Sequence, residues 1–133
     1  VIVKAKFVPV RQQIVYDTAR KGEITFWESQ GFDISNINGR LYDILFSSSP
    51  EETKKIAPKE LIVICIQTME ELQERTNNYF EYSISIHNDN GLLHAHCLTS
   101  GLLNLSPLDL KELKRKVQDL SGDTIKTRET AGL

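Results

Sequence analysis

Apolar and polar residues alternate from Val1 to Val8, where Val1, Val3, Ala5 and Phe7 oppose Lys4 and Lys6. Alternate side chains of a strand point to opposite faces, so this run predicts a strand with one wet face, ended by Pro9. Val10, Ile14 and Thr18 then recur at helical spacing, with Tyr16 among them and Gly22 placed to stop the helix. Residues 23–27 read as a short second strand and 29–35 as a loop. Asn36 is placed to cap a helix with Ile37, Leu41, Ile44 and Leu45 on one side, which Gly39 weakens by roughly 1 kcal/mol relative to Ala. Ser47 to Pro50 closes that segment. From Leu61 to Ile66 the chain is continuously apolar, which predicts a central strand buried on both faces. Thr68-x-x-Glu71 is a capping-box pattern and opens a helix expected from Met69 to Asn78. Ser106-Pro107-Leu108-Asp109 supplies an N-cap, a proline at the first helical position and an acidic first turn. Leu110, Leu113, Val117 and Leu120 form the stripe of this last helix, expected to end before Gly122 and leave 123–133 as a polar tail. The predicted order is β-α-β-α-β-α-β-β-α.

All three histidines fall between the third and the last of these helices. A period of two places Ser83, Ser85 and His87 on one face of a strand and Tyr82, Ile84 and Ile86 on the other. From Leu93 to Thr99 it places His94 and His96 opposite Leu93, Ala95 and Cys97. Asn88-Asp89-Asn90-Gly91 carries turn chemistry between the two runs, so the segment reads as a β-hairpin. Opposed Cβ atoms in such a pair lie roughly 4.5–5.5 Å apart, close enough for three imidazoles on one face to converge on a single ion. A lone histidine on a strand is ordinarily a surface or hydrogen-bonded residue; three on one face is the pattern of a metal site. Ile84, Ile86, Ala95 and Cys97 require a helical layer beneath them, whereas the polar Ser83 and Ser85 predict an open cleft on the histidine side.

Composition changes this picture little. The 133 residues suit one domain, and 26% charged with 40% apolar residues is ordinary for a globular chain. No apolar run approaches the ~20 residues that span a bilayer, and the N-terminus has no signal-peptide pattern, so the expectation is a cytoplasmic protein without a membrane partner. Val1 in place of Met is what a piece of a longer protein would show. Cys65 and Cys97 both fall in predicted strands and read as small buried hydrophobes, with a bridge left open. A formal charge of −2 argues against bulk electrostatic binding to nucleic acid but allows a local basic groove. Lys111, Lys114, Arg115 and Lys116 on the last helix read as a solvated face, or alternatively as phosphate contacts.

The pattern His87-x-Asp89-x4-His94-x-His96 resembles the three-histidine motif of conjugative relaxases, within the wider class of His-hydrophobe-His nucleases. The order of elements is similar too, with an N-terminal strand leading to a tyrosine-bearing helix and a helix after the hairpin. The resemblance implies an α/β sandwich of α+β type, with a central, largely antiparallel sheet of about five strands flanked by helices. It implies a divalent ion on His87, His94 and His96, Mg or Mn by family, although neutral imidazoles by themselves suit Zn, Ni or Cu. It further implies a tyrosine that nicks single-stranded DNA at a plasmid transfer origin and stays attached to the 5′ phosphate. The family's place for that nucleophile, the N-terminal helix, selects Tyr16 over Tyr42, Tyr79 and Tyr82; a core aromatic is the other reading of Tyr16. Asp89 falls on the family's acidic position and is equally explained as a turn former. The chain is short for a relaxase domain and has no strong basic cluster; candidates for DNA contact are Lys4 and Lys6, with Phe26 and Trp27 as stacking platforms, a core position being the other reading of these two aromatics.

Other histidine-based sites fit less well. A histidine-triad nucleotide hydrolase would need a further alternating histidine where Leu98 stands. A cupin-like module would want an acidic ligand near Thr99 or Ser100 and a distant fourth histidine, which the chain lacks. Another metal-dependent phosphohydrolase and a non-catalytic metal-binding module remain as alternatives, and oligomeric state is not legible.

Overall fold

Five antiparallel strands, ordered β1-β3-β5-β4-β2, form one sheet with helices against it in a computed structural model of the chain. The structure describes residues 1–9, 15, 17–19, 25–28, 40–89, 91–102 and 104–132, the side chains of residues 9, 25–28 and 89 excepted. The strands are β1 (Ile2–Pro9), β2 (Thr25–Glu28), β3 (Arg40–Ser47), β4 (Glu81–Asp89) and β5 (Leu92–Ser100). The helices are α1 (Pro50–Lys55), α2 (Pro58–Thr76) and α3 (Pro107–Thr130). Val15 and residues 17–19 are also helical, in the stretch expected to form the first helix. The expected α+β class, an antiparallel sheet flanked by helices, is what the chain forms.

Two central elements differ from expectation. Leu61 to Ile66 is not a strand but the first half of α2, and Thr68 does not begin a helix but sits inside one, its hydroxyl donating back to the Ile64 carbonyl at 2.7 Å. The reason is the period: Leu61, Ile64, Cys65, Thr68, Met69 and Leu72 are buried at helical spacing while Val63, inside the apolar run, is exposed. Pro58 occupies the first turn, the Glu60 carboxylate accepts from the Ala57 N–H at 2.7 Å, and Asn77 closes the helix in the left-handed region at φ 51°. Conversely, the helix expected at 36–45 is β3 from Arg40 onward, because Ile44 and Phe46 are buried at a period of two against the helices. Asn36, Ile37 and Gly39 lie outside the described residues. The segment 47–50 also begins rather than ends an element: Ser49 caps α1 in a reciprocal box with Glu52.

The final helix starts as expected, with Ser106 and Asp109 exchanging capping bonds, but it runs through Gly122 to Thr130, so most of the expected polar tail is helical. A single glycine costs a helix only about 1 kcal/mol, which does not stop it.

One face of the sheet carries the main core. Ile84, Ile86, Ala95 and Cys97 of the hairpin meet Leu61, Ile64, Met69 and Leu72 of α2 and Leu113 and Val117 of α3. Cys65 and Cys97 are buried and unbridged there; Cys65 lies on a helix rather than the expected strand. Burial, reinforced by the neighbouring Cys65 thiol, pushes the Cys97 thiol well above its ordinary pKa. The opposite face is not the open cleft that Ser83 and Ser85 suggested. Both serines are buried, and Val15 and Ala19 pack with Leu41 and Leu98 into a second, smaller cluster there. Among the described residues no helix is long and apolar enough to cross a membrane.

Candidate metal centre

The hairpin pairs His87 with His94 and Ser85 with His96, so the three histidines stand on adjacent strands in adjacent rows. β5 is the middle strand of the sheet, which puts His94 and His96 between β3 and β4. Gly91, at φ 73°, takes the left-handed conformation that the hairpin loop requires. Ring centres lie 5.1 Å apart for His87 and His94, 5.2 Å for His87 and His96, and 5.6 Å for His94 and His96. Metal–nitrogen bonds of about 2.1 Å put the centres of imidazoles sharing one ion about 5 Å apart, so the spacing suits a shared ligand.

Each ring is held by an oxygen. His96 Nδ1 donates to the Asp43 carboxylate at 3.0 and 3.2 Å across the β3–β5 pair. His94 Nδ1 donates to the Leu92 carbonyl at 3.2 Å. His87 Nε2 donates to the Thr18 carbonyl at 3.2 Å, and Ser85 Oγ, itself donating to that carbonyl at 2.7 Å, lies 3.2 Å from the same nitrogen. A carbonyl or carboxylate only accepts, so each contact fixes which nitrogen of a neutral ring bears the hydrogen and which carries the lone pair. Metal-ligating histidines characteristically donate their second N–H to a carboxylate or backbone carbonyl. Here two carbonyls and one carboxylate fill that role. As the rings stand, however, no three histidine, cysteine or acidic side chains among the described residues are arranged to hold an ion. His87 and His94 lie nearly parallel, 17° between planes, instead of pointing inward at an angle. The donor chemistry, the spacing and the outer partners fit a divalent ion; the present orientation of the two parallel rings does not complete its coordination.

No family model, curated protein or solved structure matches the chain.

The remaining expected site residues are distributed as follows. Tyr16 lies outside the described residues. Asp89 pairs with Leu92 at the end of the hairpin, its side chain not among those described. Tyr82 is buried beneath the sheet with Ile84 and Ile86, where burial above all, with Glu70 and the two thiols nearby, raises its pKa to about 12. Tyr42 lies on β3 rather than on the expected helix, packs against the main core, and accepts the Leu105 N–H at 3.0 Å. Tyr79 is exposed just before β4. Tyr82 and Tyr42 are therefore on the face opposite the histidines. Lys4 and Lys6 share the histidine face: Lys4 pairs with Leu45, which pairs with His96, and Lys6 pairs with Asp43. In the register of β2, Phe26 pairs with Ser85 and Trp27 with Ile84. Lys111, Lys114, Arg115 and Lys116 lie on α3, behind the opposite face, and Arg115 is paired with Glu71, Glu112 and Asp119.

Sequence reasoning missed Asp43 entirely, since the segment read as a helix. The available signal is Tyr42, Ile44 and Phe46 recurring at a period of two, which would place Asp43 on the other face of a strand.

Proposed function

We propose that the chain is a metal-dependent nickase of single-stranded DNA, of the conjugative-relaxase kind, acting through Tyr16. The observation that carries this reading is the set of three histidines on one face of a hairpin, each ring pinned through one nitrogen by an oxygen acceptor. His87, His94 and His96 would hold the divalent ion, Mg or Mn by the family likeness and Zn or Ni by ligand type. When bound, such an ion polarises a non-bridging phosphate oxygen and stabilises charge that builds up in the transition state. The chain's own residues supply orientation and charge. Asp43 holds His96 in one tautomer, so this ring does not reorganise during the reaction. Lys4 and Lys6, exposed on the same face, give a stretch of DNA backbone two cations to lie against. In the reaction the Tyr16 oxygen attacks phosphorus and the bond to the 3′ oxygen breaks. That oxygen leaves as a 3′ hydroxyl with the proton, while the 5′ phosphate remains esterified to the tyrosine. A plasmid transfer origin is the substrate the likeness implies. The resulting phosphotyrosine keeps the ester available for transfer to another 3′ end.

The reading is tested by incubating wild type and His96→Ala with single-stranded DNA oligonucleotides and Mg²⁺ or Mn²⁺. Cleavage by wild type and its loss in the variant are expected. Metal-dependent release of inorganic phosphate or nucleotide, with no strand nicking, would instead favour another metal-dependent phosphohydrolase.

A further inference from the structure

Thr18 connects the second, smaller apolar cluster to the histidines. Val15 and Ala19, on either side of it in the chain, are buried against Leu41 and Leu98, which anchors this helical stretch on the histidine face. From there the Thr18 carbonyl receives the Ser85 hydroxyl at 2.7 Å and His87 Nε2 at 3.2 Å. Ser85 is buried and sits two residues before His87 on the same strand face, so its hydroxyl ties the stretch to the strand at the point where His87 is oriented.

We propose that Ser85 is a positioning residue that makes metal binding at the three histidines and docking of Val15 and residues 17–19 one coupled event. The proposal rests on the metal reading given above. Thr18 serves as the outer partner of His87, as Asp43 does for His96 and the Leu92 carbonyl for His94. With Nε2–H committed to Thr18, the ring meets an ion through Nδ1, and a bound ion raises the strength of the Nε2–H donor. Docking therefore favours the ion, and the ion favours docking, by the same factor in each direction.

The coupling is tested on the whole chain with Mn²⁺ as the probe, by calorimetry and by amide hydrogen exchange over residues 15–19. Wild type should bind Mn²⁺ and exchange more slowly at these amides when the ion is present. Ser85→Ala removes one hydroxyl and should weaken Mn²⁺ binding by about ten- to a hundredfold, with faster exchange at 15–19 even without metal. His96→Ala serves as the control for the site itself. If His96→Ala abolishes binding while Ser85→Ala binds as tightly as wild type, the metal reading stands and the coupling is overturned. If Mn²⁺ speeds exchange at 15–19, the ion competes with Thr18 for His87 and the coupling has the opposite sign, which also overturns it. If wild type binds no Mn²⁺, both the metal reading and the coupling fall.

Discussion

Asp43 of β3 and His96 of β5 share a hydrogen bond of 3.0 Å that crosses the sheet diagonally and fixes the ring nitrogen available on the histidine face. Both side chains are about four-fifths covered, so the contact is shielded from most of the screening that weakens surface pairs. Removing the carboxylate frees the ring to rotate and to change tautomer. Asp43→Ala should lower divalent-metal affinity about ten- to a hundredfold, as loss of an outer partner does elsewhere. Asp43→Asn, which can still accept from Nδ1 through its amide oxygen, should lose less. Calorimetric titration of the three proteins measures the ranking; equal losses for Ala and Asn would mean that the carboxylate acts by charge and not by orientation.

Lys4 and Lys6 share a sheet face with the histidines, whereas the cations of α3 lie behind the opposite one. If the former contact the DNA backbone, Lys4→Ala and Lys6→Ala should each reduce the slope of log affinity against log salt by about 0.7 for a single strand. Lys111→Ala should leave the slope unchanged. Fluorescence anisotropy of a labelled oligonucleotide across a salt series reads all three.

Phe46 is fully buried between the sheet and the helices, in a close-packed core that relaxes only partly around a lost ring. Phe46→Ala should destabilise the fold by about 3–5 kcal/mol, measured as a drop in the denaturant midpoint. The same core decides which elements are legible in the sequence. The histidine hairpin was readable because its two faces differ in polarity and its loop carries Asn, Asp and Gly, so period and turn chemistry agree. α2 was misread because six successive apolar residues fit a buried strand and a helix equally well, and only the recurrence at Thr68, Met69 and Leu72 decides between them. β3 was misread for the reverse reason: Leu41, Ile44 and Leu45 fit a helical face, but pairing with β1 and β5 on both sides selects the extended form. That second error concealed Asp43, because a carboxylate on a solvated helix has no reason to meet a histidine more than fifty residues away. The covering of Ser83 and Ser85 is not legible either, since it depends on where Val15 and Ala19 pack and not on the strand's own pattern.

Tyr82, raised to about 12 by its burial, gives the fold a defined alkaline limit. The neutral phenol is the form the core favours, and an unfolded tyrosine titrates near ~10. Its contribution to stability is therefore complete below about pH 10 and is lost progressively as pH rises from there through the folded value near 12. Tyr82→Phe, which leaves no phenol to ionise, should flatten the fall in stability over this window. Denaturant midpoints measured at a series of alkaline pH values for both proteins show the difference.

The nickase reading depends most directly on a covalent bond. Wild type incubated with single-stranded transfer-origin DNA and Mg²⁺ or Mn²⁺ should give a protein–DNA adduct that survives denaturant, mapped by mass spectrometry to the peptide holding Tyr16. Tyr16→Phe, which removes one hydroxyl and no packing volume, should form no adduct while binding metal and unfolding in denaturant as wild type does. An adduct of undiminished yield in the Phe variant would assign the nucleophile to another residue, and no adduct from wild type on any single-stranded DNA tested would contradict the nickase itself.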